Sequence, residues 1–159
     1  MLRRVVAFVV AVAVMVVLGS ASHSYFVQEA WSAAAGQAGG TGSVAIPFGE
    51  RASWAGHDLV GMIVPYSFII SIALCIAFLA AGALARFTGR RMIVYGVAGA
   101  LAIYATFTAL KLLLGSVGIF GARGAFGLAA QMLVGLVAGV LFAQLTAPRE
   151  SQRTVSGVI

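Results

Sequence analysis

The sequence predicts an all-α integral membrane protein, a four-transmembrane-helix bundle with both termini cytoplasmic. Three observations predict it. Apolar residues make up 62% of the chain and charged residues only 9%, whereas soluble domains run about 45–50% and about 25%. The apolar residues fall into four runs, each near the roughly 20 residues a helix needs to cross hydrocarbon. The basic residues fall in short clusters between those runs, as they do in membrane proteins.

The runs place helices at about 5–27, 59–85, 92–114 and 124–146, joined into one transmembrane domain over 1–147. They are apolar on every side, which argues against a β-barrel, whose strands must alternate. The first run has a second reading. Arg3 and Arg4, the stretch Val5 to Leu18 and then Gly19-Ser20-Ala21-Ser22 also fit a signal peptide with a small-residue cleavage site. Apolar character resumes at Tyr25, Phe26 and Val27, which favours a retained helix.

Orientation follows from the lysines and arginines. Arg3, Arg4, Arg86, Arg90, Arg91, Arg149 and Arg153 lie on one side, and Arg51, Lys111 and Arg123 on the other. Seven against three puts both termini inside. The net charge of +6 is therefore topological, and nucleic acid is not an expected partner. The expected location is a bacterial inner membrane. A single cysteine, Cys75, allows neither an internal disulfide nor a cysteine zinc site.

Residues 28–58 are expected to form an outer loop, its first part flexible because Ala33 to Ser43 is rich in Ala, Gly and Ser. Trp31 and Trp54 flank it and are expected at headgroup depth. Glycines recur at 115, 118, 121, 124 and 127, which suggests a flexible re-entrant turn before the last helix. The tail 148–159 is polar and expected to be disordered.

Lipid tails are as apolar as leucine, so membrane helices associate through close backbone contact and polar links. Gly127, Gln131, Gly135 and Gly139 recur every four residues on the last helix, and Ala73, Ala77 and Ala81 do so on the second. Both stripes are expected to pack against helices of this chain or another.

Ionisable residues at the edge of a span are candidate sites. Lys111 lies three residues from the end of its helix and shares a face with Tyr104 and Thr108, although a lysine there can also snorkel. His57 and Asp58 open the second helix and Arg123 precedes the fourth. Together His57, Asp58, Lys111 and Arg123 form a candidate outward-facing ligand site for an anionic lipid or a carboxylate. Asp58 also reads as a helix cap. No metal site is expected. The one pair to weigh is His23 with His57, which could hold a haem iron, or copper with Met62. The sequence has no G-x-S-x-G, no H-E-x-x-H and no paired intramembrane carboxylates.

His57-Asp58-Leu59-x-Gly61, together with Gly121-Ala122-Arg123, Gly127-Leu128 and Gln131, resembles blocks of small multi-helix bacterial inner-membrane proteins without a known activity. The resemblance implies a location only. The function expected from the residues is a small non-enzymatic accessory or scaffold subunit of a larger membrane complex. Its partners are the lipid bilayer and other membrane subunits or copies of itself, and no cofactor is expected. A binding or transport module at the outer polar cluster is the alternative, and a haem or copper redox protein a further one.

Overall fold

The computed structural model describes residues 1–115 and 124–147. Four helices follow one another: α1 Leu2–Gly39, α2 Phe48–Thr88, α3 Arg91–Leu114 and α4 Ala125–Leu145. All four are long and apolar enough to cross a membrane. Each helix packs on its two neighbours, α1 on α2 and α4, and α3 on α2 and α4, while the diagonal pairs barely touch. The bundle is therefore a square of four helices in chain order.

Large apolar side chains such as Val9, Val17, Phe68, Leu79 and Leu133 point outward. The buried positions hold many Ala, Gly and Ser residues. A water-soluble fold shows the opposite distribution, because so wide an apolar surface would drive association.

At one end of the bundle each helix contributes one aromatic ring. Phe78 of α2 stacks on Phe142 of α4 at 4.6 Å and meets Tyr95 of α3 at 5.6 Å and Phe8 of α1 at 6.3 Å. Edge and offset contacts of this kind add about 0.5–1.5 kcal/mol each beyond area burial. Beneath the cluster, two arginines close the C-terminal end of α4. Arg3 donates from Nε to the Leu145 carbonyl at 2.8 Å and from Nη2 to the Ala147 carbonyl at 2.5 Å. Arg91 donates to Thr146 Oγ1 at 3.1 Å and lies over the Tyr95 ring. The last carbonyls of a helix lack intrahelical donors and carry its negative dipole end, so a cation is favourable there.

The α3–α4 contact is made by glycine. A Cβ on Gly135 would meet the Gly99 carbonyl oxygen and Ile103 Cγ1 at 2.6 Å each, and one on Gly139 would run into the Tyr95 backbone. The stripe Gly127, Gln131, Gly135 and Gly139 is buried along its whole length, and its lower half faces α3 within the same chain.

The helices run well past their expected ends. Of the segment 28–58 expected as an outer loop, 28–39 belongs to α1 and 48–58 to α2, leaving only 40–47 between them. The composition misleads here because alanine suits a linker but is also the best helix former. Gly40, with φ 68°, ends α1. The Gly40 and Thr41 amides bond back to the Gln37 and Gly36 carbonyls, the Schellman arrangement. Pro47 precedes α2, and Glu50 in its first turn suits the positive dipole end. The expected glycine-rich turn, apart from its ends, and the tail 148–159 lie outside the described residues.

Replacing Gly139 with alanine is expected to lower stability by about 1–3 kcal/mol, the usual cost of overpacking. Gly61 on α2 has open space around it, so Gly61→Ala is expected to be neutral or slightly stabilising. Thermal unfolding of both variants in mild detergent checks this, and equal melting temperatures would mean that the α3–α4 seam can yield.

Candidate functional site

The buried polar residues among those described gather along one line. On α1, Ser20, Ser24, Gln28, Ser32 and Gly36 are all buried and recur every four residues, so they share a face. That face looks first into the bundle and then, further along, onto α2.

The line begins at Gln131 of α4, fully buried at 0% exposure. Its Nε2 donates to the Gly19 carbonyl at 2.8 Å, and its Oε1 accepts from the Tyr66 hydroxyl at 2.8 Å. One amide therefore joins α1, α2 and α4. An uncompensated amide in an apolar medium costs several kcal/mol, so both partners matter. Gly19 is required by proximity, because a Cβ there would stand 2.5 Å from the Tyr66 hydroxyl and 3.0 Å from Gln131 Oε1. Ser20 Oγ is buried beside this knot and makes no hydrogen bond among the described residues.

Ser24 comes next and donates from Oγ to a carboxylate oxygen of Asp58 on α2. Gln28 donates from Nε2 to the Arg51 carbonyl at 3.0 Å, and Ser32 donates from Oγ to the Val44 carbonyl at 2.5 Å. The Val44 amide returns a bond to the Ser32 carbonyl at 3.1 Å. Arg51 pairs with Glu29 at 2.9 Å and also donates to the Ile46 carbonyl at 3.3 Å. Trp31 and Trp54 meet edge to face at 5.4 Å. The upper parts of α1 and α2 thus form one helical hairpin, held by a ladder of side chains from α1. Helices of 38 and 41 residues measure about 57 and 61 Å, against about 36 Å for the 24 residues of α3. The hairpin therefore projects about 20 Å beyond the other two helices.

The residues expected to form an outer ligand site are placed differently from one another. Asp58 is half-buried and turned to Ser24 of α1. His57 and Lys111 are exposed, and neither forms an ion pair with Asp58 among the described residues. Arg123 lies outside the described residues. Of the histidine pair, His23 is half-buried and His57 exposed. Among the described residues there is no group of three or more His, Cys, Asp or Glu side chains that could hold a metal ion. Gln131 is expected in helix packing and sits at the centre of the knot. The sequence does not single out Tyr66, Ser24, Gln28 or Ser32, and it marks Gly19 and Ser20 only as part of a possible cleavage site. The signal on α1 is the four-residue spacing from Ser20 to Gly36, which a search for apolar runs does not register.

Comparison with protein-family models, with curated proteins and with solved structures finds no match.

The knot generates a measurable coupling. Tyr66→Phe and Gln131→Leu each remove one partner, and a double-mutant cycle between them is expected to give about 0.6–1.7 kcal/mol, the range for hydrogen bonds between membrane helices. Chemical or thermal unfolding in detergent measures it. Strict additivity would mean that the two side chains do not act as a unit.

Proposed function

We propose that this protein is a multi-pass protein of a bacterial inner membrane, with both termini in the cytoplasm. We propose further that it serves as a small non-enzymatic accessory or scaffold subunit of a larger membrane complex. The orientation is supported by the gathering of Arg3, Arg4, Arg86, Arg90 and Arg91 at one end, since basic residues stay on the cytoplasmic side. Glu29, Glu50 and Asp58 belong to the opposite, projecting end.

The observation that carries the functional reading is the hairpin. A chain that only had to span the bilayer would need α1 and α2 no longer than α3 and α4. Instead both continue as ordered helices into the aqueous side, locked together by the Glu29–Arg51 pair, the tryptophan contact and the serine and glutamine bonds. A rigid arm of this sort presents a fixed surface at a fixed height. At its tip Phe48 is 85% exposed, with Val44 beside the same connection also exposed. An exposed aromatic at the end of a rigid arm is the kind of anchor that protein interfaces use.

Two measurements test this. A phosphatase active only outside the cytoplasm is expected to be silent when fused after Ile159 and active when inserted between Gly40 and Thr41; the reverse pattern would invert the orientation. In mild detergent the native chain is expected to run as part of a larger assembly with a fixed stoichiometry. Phe48→Glu is expected to release it while leaving its thermal stability within about 0.5 kcal/mol, as for a surface substitution. A native chain that migrates alone, indistinguishable from Phe48→Glu, would remove the scaffold reading.

A further inference from the structure

Two features that weaken a helix stand at the level of the Gln131 knot, one on α1 and one on α2. On α2, Pro65 lies inside the helix and immediately precedes Tyr66. Proline has no N–H, so it gives no helical bond to the Gly61 carbonyl four residues earlier, and its ring crowds that carbonyl. Gly61 has open space around it and adds backbone freedom of its own. On α1 the residues at this level are Gly19 and Ser20, both buried. Sharp bends in long helices fall at prolines and at glycine–serine pairs. Gln131 fixes the two at one height, because its amide bonds both to the Gly19 carbonyl and to the Tyr66 hydroxyl.

The parts on either side of this level differ in kind. Toward the arginine end the four helices enclose a filled centre, with Met15, Ile70 and Leu74 fully buried. Toward the hairpin the packing thins, and Leu59, Met62, Leu110 and Leu128 are only partly buried against the core. Farther out, α1 and α2 have one another. Four contacts brace them: Ser24 with Asp58, Gln28 with the Arg51 carbonyl, Glu29 with Arg51, and Trp31 with Trp54. A braced arm joined to a packed body through two weak points of helix is the arrangement of a hinge.

Ser20 points to a second position of this hinge. Its hydroxyl is buried and makes no hydrogen bond among the described residues, and an unpaired buried hydroxyl is unfavourable. Its neighbour in the knot has capacity to spare. Gln131 Oε1 accepts from Tyr66, and a carbonyl oxygen has two lone pairs.

We propose that the α1–α2 arm swings as one body about a hinge made by Gly19–Ser20 and Pro65, with Gln131 as its bearing. In the second position the Ser20 hydroxyl donates to Gln131 Oε1. The inference rests on the braced arm and not on what the arm docks against. From Pro65 to Phe48 the arm is about 25 Å long. A change of about 20° at the hinge carries Phe48 about 9 Å sideways and alters its height by about 2 Å. The swing therefore re-aims the tip while keeping its reach.

The test is pulsed electron spin resonance on the full chain in mild detergent, with Cys75→Ser removing the native thiol and nitroxides on introduced cysteines. The pair Gly49→Cys and Leu113→Cys measures the arm against α3, and the pair Ala34→Cys and Ser53→Cys measures the arm against itself. All four positions are exposed. The arm-to-α3 distance is expected to fall into two populations, and the distance within the arm into one. Pro65→Ala, which returns a donor to the Gly61 carbonyl, is expected to leave one arm-to-α3 population. Ser20→Ala removes a hydroxyl without touching the backbone, and is expected to deplete the second population about 2- to 10-fold, the worth of one hydrogen bond. A single narrow arm-to-α3 distance in the native chain overturns the proposal. So does a distance within the arm as spread as the distance to α3, since the arm is then not one body. Two populations that Pro65→Ala and Ser20→Ala both leave unchanged overturn it as well. The measurement needs no partner, so a native chain that migrates alone removes the scaffold reading and leaves the two populations to decide the hinge.

Discussion

Gln131 is the side chain on which the arrangement of the helices depends. It is a full amide within the apolar part of the bundle, and such a group must find its partners inside the protein. It finds one on α1, the Gly19 carbonyl, and one on α2, the Tyr66 hydroxyl. Only one sliding position of three helices satisfies both bonds at once. Packing alone would not choose it, because the large apolar side chains mostly face outward and the helices meet through small ones. Polar bonds and close backbone contact replace hydrophobic burial as the source of register.

From that level the structure is propagated in two directions by different means. Toward the arginine end, the rings of Phe8, Phe78, Tyr95 and Phe142 fill the centre with one aromatic from each helix. Toward the other end serines and a glutamine of α1 join the Trp31–Trp54 contact, and their partners are α2 and the connection before it. Serine and glutamine bonds to backbone carbonyls hold two helices together without apolar packing. The α3–α4 seam is fixed separately, by Gly99, Gly135 and Gly139 meeting backbone to backbone. With α4 bound to α1 and α2 through Gln131, α3 is carried into place by its glycine contact.

The two ends of the molecule consequently have different chemistry. One carries arginines, two of them capping α4. The other carries the acids and a stiff hairpin with an exposed phenylalanine at its tip.

The sequence by itself determined the class: four helices, each apolar enough to span, with the basic residues gathered to one side. Those features depend on composition within each run, so no knowledge of neighbours is needed. It also marked Gln131, Gly135 and Gly139, since small and polar residues at four-residue spacing stand out in an otherwise apolar helix. The length of α1 and α2 was not legible, because Ala33–Ala35 and the polar stripe from Ser24 to Ser32 match a linker as well as a helix until α2 lies alongside. Nor was the fate of Asp58. Its position at the head of an apolar run is compatible with Lys111, with a cap or with Ser24, and only the packing of α2 on α1 selects Ser24. The choice of partner for a polar group depends on which helix face stands opposite. That is a property of three helices held in register, and only the tertiary structure decided it.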